Sequence, residues 1–418
     1  MGGGERDGAA HPRSGRRATV VASPDEPQRG EPAPLRLLVG GGAALAAAMG
    51  IGRFAYTPIL PAMEAVAHLD TKQAGLLASA NYAGYLAGAL ATAAIPRAAR
   101  GRVLVVSLLA VVATTALMAG TTSRAAWGAI RFLAGLASAG VFVLASGVVL
   151  DALRRQGRSS LSGWLFSGVG VGIALSGTVV RVAGGALGWR GEWLALALLA
   201  AVALYPSGRW LPLAHDGAAP TALGRPIPDR GARAALALLL VAYLLEGTGY
   251  IVTGTFLVAI VDRMRGLGGF GPSVWIVVGL AAAPSGVVWA GLAARIGHAR
   301  ALTLAYAAQA CGIGLPLLGG PGPALLSAVL FGGTFIGISA LTFTLAGQIA
   351  PGRSSGSIGW LTAGYGLGQI AGPLLAGVVA GRTHTFGPAL AAATAIVLLG
   401  GILVAALQPF DPSRHGRR

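Results

Sequence analysis

The sequence is poor in charged residues. Only 11% of its 418 residues are Asp, Glu, Lys or Arg, against about 25% in soluble proteins. So few charges cannot cover a water-facing surface, which excludes a soluble globular protein. The mean hydropathy of +0.70 agrees with this, and the 67 glycines recur within apolar runs, as they do in transmembrane helices. The composition predicts an all-α polytopic membrane protein.

Cysteine, lysine and intramembrane histidine are also scarce. The single cysteine, Cys311, has no partner for an intrachain disulfide, and Lys72 is the only lysine. A nucleotide-driven pump with a P-loop lysine is therefore not expected. All six histidines fall in tails or loops, so we expect no metal site in the membrane. We also expect no cofactor and no enzymatic activity.

Twelve apolar runs are long enough to cross a bilayer, because about 20 apolar residues in a helix span the hydrocarbon core. They lie at about 36–62, 74–95, 102–120, 126–150, 160–184, 192–207, 233–261, 273–294, 300–319, 323–348, 356–380 and 386–407. The pattern predicts two six-helix bundles joined by a linker and flanked by two tails. The expected bounds are 1–33 for a disordered basic tail, 34–207, 208–232 and 233–408 for bundle, linker and bundle, and 409–418 for a basic tail.

The basic residues are distributed unevenly between the two sides of such a bundle. With the N-terminus in the cytoplasm, 22 of the 31 Lys and Arg residues fall on the cytoplasmic side and 7 on the other, which leaves only Arg53 and Arg131 inside spans. An excess of basic residues marks cytoplasmic loops. We expect a protein of the inner (cytoplasmic) cell membrane with both termini in the cytoplasm. Because this placement explains the net charge of +17, no nucleic-acid partner is expected.

The two halves match one another at an offset of 196 or 197 residues. "GIGRFAYTPIL" at 50–60 aligns with "GTGYIVTGTFL" at 247–257. "GWLFSGVGVGIALS" at 163–176 aligns with "GWLTAGYGLGQIAG" at 359–372. The same offset aligns the glycines of a third pair of spans. It predicts a six-helix unit duplicated in parallel, an arrangement found in secondary transporters.

The chain resembles the major facilitator superfamily (MFS) over nearly its whole length, apart from the tails. "GIGRFAYTPILPAM" at 50–63, followed by "QAGLLASANYAGYLAGAL" at 73–90, is similar to the YbfB/YjiJ-type branch. "RFLAG" at 131–135 resembles the fourth-helix motif, whose arginine is associated with proton coupling in the superfamily. "GLAARIGHAR" at 291–300 resembles the loop motif between helices 8 and 9, with Ala294 where an acidic residue is expected. The resemblance implies an MFS fold with a central cavity built from helices 1, 4, 7 and 10.

We therefore expect a secondary active transporter that moves a small organic solute by alternating access, coupled to protons, with efflux favoured by family analogy. Two alternatives remain open: a proton-coupled importer of an organic anion, and a non-transporting accessory or signalling membrane protein. The expected partners are the solute, protons and membrane lipid, and a monomer is assumed. Two intramembrane arginines against one glutamate favour an anionic or amphipathic solute.

Two charged residues within spans are the first candidates for the site, since a charge in a bilayer costs about 3 kcal/mol or more. Arg53 precedes Pro58 and Pro61 in helix 1. It either caps carbonyl groups that these prolines leave without a donor or lines the cavity. Glu246 is expected to be the only carboxylate well inside a span. Under the repeat its counterpart is Met49, which lies four residues, or one helical turn of about 5.4 Å, before Arg53. A long arginine side chain could reach across the pseudo-two-fold axis over that distance, so Arg53 and Glu246 are predicted to pair. The pair is either permanent or part of a proton pathway.

The remaining candidates are polar residues and glycines within spans. Arg131 belongs either to the proton pathway or to an interhelical hydrogen bond. Each of the other polar side chains is individually typical of helix packing, yet together they are candidates for the substrate and proton pathway: Tyr56, Asn81, Tyr85, Tyr250, Thr253, Thr342, Tyr365 and Gln369. Small residues at every fourth position allow close helix approach, and we expect this of Gly168, Gly172, Gly364, Gly368 and Gly372.

Overall fold

The computed structural model describes residues 1–2, 4, 32–212, 230–350 and 354–411. Within these ranges helices dominate and no strand is present. Their bounds are α1 Pro34–Leu45, α2 Tyr56–Ala67, α3 Thr71–Ala93, α4 Arg97–Leu117, α5 Arg124–Arg155, α6 Ser162–Leu165, α7 Ser167–Trp210, α8 Arg230–Asp262, α9 Gly271–Ile296, α10 His298–Gly314, α11 Pro321–Ile349, α12 Ser354–Thr383 and α13 Gly387–Ala405. Nearly all of the N-terminal tail and most of the expected linker lie outside the described residues.

The described residues contain eleven helical stretches long and apolar enough to cross a membrane, by length and composition. One joins α1 and α2, and α7 supplies two, because Gly188 interrupts it with a φ of 61° that glycine adopts readily. A twelfth long helix, α3, has 23 residues but is more polar than the others. With it, the order of the twelve predicted spans is reproduced, and the prediction of an all-α polytopic membrane protein is confirmed.

The tail expected after residue 408 is packed at its start. Residues Gln408–Phe410 form a short 3-10 helix, and Asp411 is buried. One Asp411 carboxyl oxygen accepts a hydrogen bond from the backbone N–H of Ala299 at 2.9 Å. This N–H lies in the first turn of α10, where backbone donors have no partner within the helix. The start of the expected tail is therefore held against α10 through Asp411, and the rest of the tail lies outside the described residues.

The first membrane span, Pro34–Ala67, contains α1 and α2 and is called helix 1. Its α-helical structure is interrupted next to Arg53. α1 runs into a π-helix at Ala46–Ile51, a turn follows, and α2 begins at Tyr56. The backbone N–H groups of Gly52 and Phe54 donate to carbonyl groups five residues earlier, at 2.8 and 3.0 Å. Such wide turns often lie at functional sites, and this one changes the direction of the side chains that follow it.

The helices before residue 212 pack mainly against one another, as do those after residue 230. Across the two groups, α3 packs on α12, α7 on α9 and α2 on α8. We call the side on which α2 and α8 end the far face, and the side on which α1 begins and α7 ends the linker face. At the far face the Thr57 hydroxyl donates to the Gly254 carbonyl at 2.6 Å. Arg263 also forms an ion pair with Glu64 at 2.8 Å, so the far face is closed between α2 and α8.

Glycines allow two of these helices to touch the backbone of their neighbours. A Cβ atom on Gly172 of α7 would overlap the Ala46 carbonyl oxygen and lie 2.8 Å from its Cα atom. A Cβ atom on Gly368 of α12 would lie 2.8 Å from the backbone nitrogen of Thr248 in α8. Since backbone atoms cannot rotate away, only glycine fits at either position.

The other three glycines predicted to lie at helix contacts differ in the atoms that an added Cβ would meet. Cβ atoms on Gly168 and Gly372 would also overlap backbone carbonyl groups of the facing helix. At Gly364 the nearest atom is a side-chain methyl of Leu240, 2.7 Å away, and a methyl group can move. Gly364 is therefore the most tolerant position of the five.

We predict that Gly172→Leu and Gly368→Leu reduce the yield of folded protein, because the added atoms force the helices apart. Gly147→Leu is the matched control. Gly147 lies mid-helix in α5, is exposed, and a Cβ atom added there would have no heavy atom within 4 Å. Size-exclusion chromatography of detergent extracts should show a normal monodisperse peak for the control and a strongly reduced one for the other two. A normal peak with normal transport for Gly368→Leu would refute the close-packing interpretation.

Candidate functional site

Arg131 on α5 caps the interruption in helix 1. Its Nη1 donates to the Gly52 carbonyl at 3.2 Å and its Nη2 to the Arg53 carbonyl at 3.0 Å. The guanidinium also lies 4.9 Å from the centre of the Tyr56 ring. The Asn81 amide of α3 fixes this part of α5 by donating to the Arg131 carbonyl at 2.8 Å. Arg131 therefore forms the interhelical hydrogen bonds considered for it. The carbonyls that it caps belong to the interruption in helix 1. They are not those of Phe54 and Thr57, four residues before the two prolines, that were expected to need a cap.

The Arg53 guanidinium lies among aromatic rings. Its central carbon is 4.2 Å from the ring centre of Tyr85, 4.7 Å from that of Tyr82 and 5.3 Å from that of Phe54. Arg53 is only 2% exposed, and its Nε and Nη2 atoms have no hydrogen-bond partner among the described residues. Cation–π contacts of this kind are worth more when they are desolvated. The rings hold the cation, while two of its nitrogen atoms keep unused N–H groups.

Glu246 on α8 is fully buried, and neither of its carboxyl oxygens has a hydrogen-bond partner within the described part of the chain. The side chains of Gln309 on α10 and Tyr365 on α12 face it. The predicted contact with Arg53 is therefore wrong for this conformation. The physical reason is direction: Arg53 is turned onto rings of α3, whereas Glu246 is turned toward helices of its own half.

A continuous group of aromatic rings lies between these two charges. Tyr250 stacks on Phe335 at 6.1 Å and on Tyr365 at 5.5 Å between ring centres, and Tyr365 stacks on Tyr243 at 4.2 Å. Phe335 also meets Phe54, the residue after Arg53, edge to face at 6.1 Å. We call these rings, with Tyr85, the aromatic cluster. Tyr250 lies within electrostatic range of both Arg53 and Glu246, so the cluster connects them.

The predicted site residues separate into three sets. Arg53, Tyr85, Tyr250, Tyr365, Gln369 and Glu246 come together around the cluster. The Gln369 amide donates to the Tyr250 hydroxyl, and its Oε1 has no partner among the described residues. Tyr56 and Asn81 instead support the cap: the Tyr56 hydroxyl donates to the Ala74 carbonyl at 3.1 Å. The hydroxyl groups of Thr253 and Thr342 are buried and have no hydrogen-bond partner within the described ranges.

Sequence reasoning missed Gln309 and Glu192. Gln309 is a fully buried amide whose two polar atoms have no partner among the described residues. A lone glutamine in an apolar run was the available signal. Glu192 is buried as well, because the sixth span begins at Ala186 rather than near 192. Glu246 is therefore not the only carboxylate inside a span, and that prediction is wrong.

The arrangement suits binding rather than covalent chemistry. It combines one cation with unused donors, one carboxyl group without a cationic partner, and flat aromatic surfaces. The described residues contain no group of three or more His, Cys, Asp or Glu side chains placed to hold a metal ion. Small-molecule sites commonly have this character, with apolar walls and few polar groups.

Comparisons with known proteins place the chain in a family. The model of the family described as uncharacterised MFS-type transporter YbfB matches residues 45–405. A chloramphenicol resistance protein of Streptomyces lividans is 31% identical over 374 residues, which cover 84% of this chain and 90% of that protein.

Solved structures agree on the fold. A point mutant of the nucleoside transporter NupG matches 90% of this chain and 99% of its own, with a TM-score of 0.72 and 14% identity. Another NupG structure matches 90% of this chain and 98% of its own, with a TM-score of 0.69 and 15% identity. At these identities the likeness concerns the fold alone. The chain belongs to the YbfB-type family of the major facilitator superfamily, and it is a multi-pass membrane transporter rather than an enzyme.

Proposed function

We propose that this transporter is a proton-coupled secondary exporter of a small organic solute. The observation that carries the proposal is the pair of buried, ionisable and unpartnered side chains of Arg53 and Glu246, one in each group of helices, with the aromatic cluster between them. Intramembrane charges of this kind mark substrate and ion pathways. In this proposal Arg53 binds the solute and Glu246 carries the proton.

Alternating access in this proposal is a rocking of residues 34–207 against residues 233–408. The contacts of Thr57 with Gly254 and of Glu64 with Arg263 close the far face, so the solute would enter from the linker face. α5 and α11 are not among the helices that pack closely across the two groups. Opening of the far face requires these two contacts to break. One joins a side chain to a backbone carbonyl and the other joins two side chains, so both can separate without unfolding a helix.

Proton carriage by Glu246 follows from its surroundings. An ionised carboxyl group buried without a cationic partner is costly, whereas a protonated one carries no charge. Water that reaches Glu246 in another conformation would let it release the proton. Gln309 and Tyr365, which face it, can hydrogen-bond either form. Each cycle then moves a proton with or against the solute.

Export is supported by the relative that is named a chloramphenicol resistance protein, since removal of a toxic solute is one route to resistance. Chloramphenicol is accordingly a first solute to test. Import of an organic anion is the second candidate, because Arg53 has no anionic partner among the described residues. Flux measured in both directions across one liposome preparation separates the two.

The orientation in this proposal places both termini and the 208–232 linker in the cytoplasm, from the arginine distribution. On a Cys311→Ser background, we predict that Gly208→Cys resists a membrane-impermeant thiol reagent in intact cells, whereas Arg265→Cys reacts. Both positions are exposed, and they lie at the linker face and the far face. Permeabilised cells, in which both should react, are the control. Faster labelling at 208 than at 265 in intact cells would reverse the orientation.

We predict that Glu246→Gln weakens proton coupling and flattens the pH dependence of transport, because the amide cannot gain or lose a proton in the physiological range. The measurement is proton flux driven by a solute gradient in liposomes, normalised to folded protein. Glu192→Gln is the matched control, since Glu192 is a buried carboxylate of α7 that is not among the contacts of the aromatic cluster. We expect the control to keep wild-type coupling.

Wild-type coupled flux across pH in well-folded Glu246→Gln would refute the role of Glu246. Loss of coupling in Glu192→Gln but not in Glu246→Gln would move the proton site to α7. Absence of any solute or proton flux in the wild-type protein, with every candidate solute, would refute transport of this kind and favour an accessory role.

A further inference from the structure

Arg53 is a buried cation for which the described part of the chain supplies no counter-charge. It takes part in no ion pair among the described residues, and Glu246 lies turned away with both oxygens unpartnered. A buried charge without a partner is strongly destabilising. The aromatic rings around Arg53 offset part of this cost, but they accept none of the hydrogen bonds that its edge can donate. An anionic ligand would supply both the counter-charge and the missing hydrogen-bond acceptors.

The unused donors have a specific geometry. Nε–H and Nη2–H lie on one edge of the planar guanidinium and point in parallel, which is the arrangement that binds both oxygens of a carboxylate. Arg131 shows the contrast: its Nη1 and Nη2 donate to two separate backbone carbonyls. Arg53 leaves the side-on pair free. The ring centres of Tyr82 and Tyr85 lie 4.7 and 4.2 Å from its central carbon, and these contacts hold the guanidinium in place for an anion that binds to the free edge.

The surroundings of the Arg53 guanidinium are largely aromatic, and Phe54, which lies against it, meets Phe335 of the aromatic cluster. Tyr250 and Tyr365 are nearly parallel, with 12° between ring planes, as are Tyr250 and Phe335 with 15°. Tyr250 and Phe335 are buried, whereas Tyr85, which lies against Arg53, and Tyr365 are half-buried. Parallel rings with half-buried members favour a flat, conjugated ligand that stacks offset on them. The free Oε1 of Gln369 offers one acceptor for a hydroxyl or amino substituent.

We propose that the transported solute is a planar aromatic carboxylate, whose two carboxylate oxygens accept the Nε–H and Nη2–H bonds of Arg53 while its ring stacks in the aromatic cluster. The assignment rests on the proposed transport function and names the solute class for that same site. A cation is disfavoured because Arg53 would repel it in a medium of low dielectric constant. A sugar or other aliphatic polyol is disfavoured because the cluster supplies rings in place of hydrogen-bond partners.

The test is a set of three probes that differ in one property each. 4-Hydroxybenzoate carries the charge and the ring, 4-hydroxybenzamide lacks the charge, and trans-4-hydroxycyclohexanecarboxylate lacks the ring. Equilibrium binding to the purified full-length protein in detergent is measured by isothermal titration calorimetry. We expect the first probe to bind at least about tenfold more tightly than either of the others, since a charge-assisted bidentate contact and a ring stack each supply that much. This comparison uses the wild-type protein and needs no variant to fold.

Arg53→Lys identifies the residue, because lysine keeps the charge but has no planar pair of donors. We expect the preference for 4-hydroxybenzoate over the amide to fall by at least about tenfold. Arg100→Lys, at an exposed arginine on α4, is the control and should keep the preference. The proposal is overturned if the amide binds as tightly as the acid, if the cyclohexane acid does, if none of the three binds, or if the preference survives Arg53→Lys.

Liposome flux separates this proposal from the transport function on which it rests. Selective binding of 4-hydroxybenzoate without flux of any solute would leave the solute class standing and refute transport. Coupled flux of neutral chloramphenicol, without the preference for the aromatic acid, would leave transport standing and refute the solute class.

Discussion

The structure depends on one interaction: the capping of two helix 1 carbonyl groups by Arg131. The π-helix at Ala46–Ile51 and the turn after it leave the Gly52 and Arg53 carbonyls facing α5. Unpaired carbonyls in a membrane interior cost several kcal/mol each, so the interruption persists only because a fixed donor meets it. Gly172 lets α7 approach the wide turn from the other side. The position of the Arg53 side chain, and with it the candidate site, follows from this support.

In the proposed mechanism, the separation of Arg53 and Glu246 leaves one charge for the solute and the other for the proton, which a buried ion pair would not do. A permanent pair would satisfy both charges and leave neither for a ligand. Here each is buried without a partner among the described residues, and the aromatic cluster lies between them. Tyr250 is within electrostatic range of both charges and is hydrogen-bonded to Gln369. A solute on Arg53 and a proton on Glu246 would therefore influence one another through shared neighbours.

Much of the fold could be predicted because hydropathy, basic residues and an internal repeat report directly on membrane spans. Even α3, which is more polar than the other spans, could be predicted, because residues 74–95 still form an apolar run of spanning length. The direction of Arg53 could not be predicted. A regular helix advances by about 100° per residue, and the repeat brings Arg53 and Glu246 together only if both helices are regular. α8 is continuous at Glu246, whereas helix 1 contains a π-helix before Arg53. The Arg53 side chain therefore points in a different direction from the one that a regular helix would give it.

Only some members of the candidate site could be predicted, because the sequence signal comes from polar atoms in apolar runs. Tyr250, Tyr365 and Gln369 carry polar atoms that stand out in apolar runs, and this signal identified them. Phe335 has no such signal, because a phenylalanine in a membrane helix is as common in lipid contact as in a binding site. Gln309 carried a signal of the same kind as Gln369. Glu246, which Gln309 faces, lies on a different helix, and only the packing of α8 against α10 and α12 brings the two side chains together.

Hydrogen–deuterium exchange of Arg131→Met, followed by mass spectrometry on the purified full-length protein, tests the central interaction most directly. Loss of both capping bonds should speed exchange in peptides covering 46–60 by at least about tenfold, since about 1–3 kcal/mol is at stake for each carbonyl. Peptides from α13, which does not touch the cap, should be unchanged, and the exposed-site control Arg100→Met should alter neither region. Unchanged exchange at 46–60 in well-folded Arg131→Met would show that the interruption in helix 1 is held by something else.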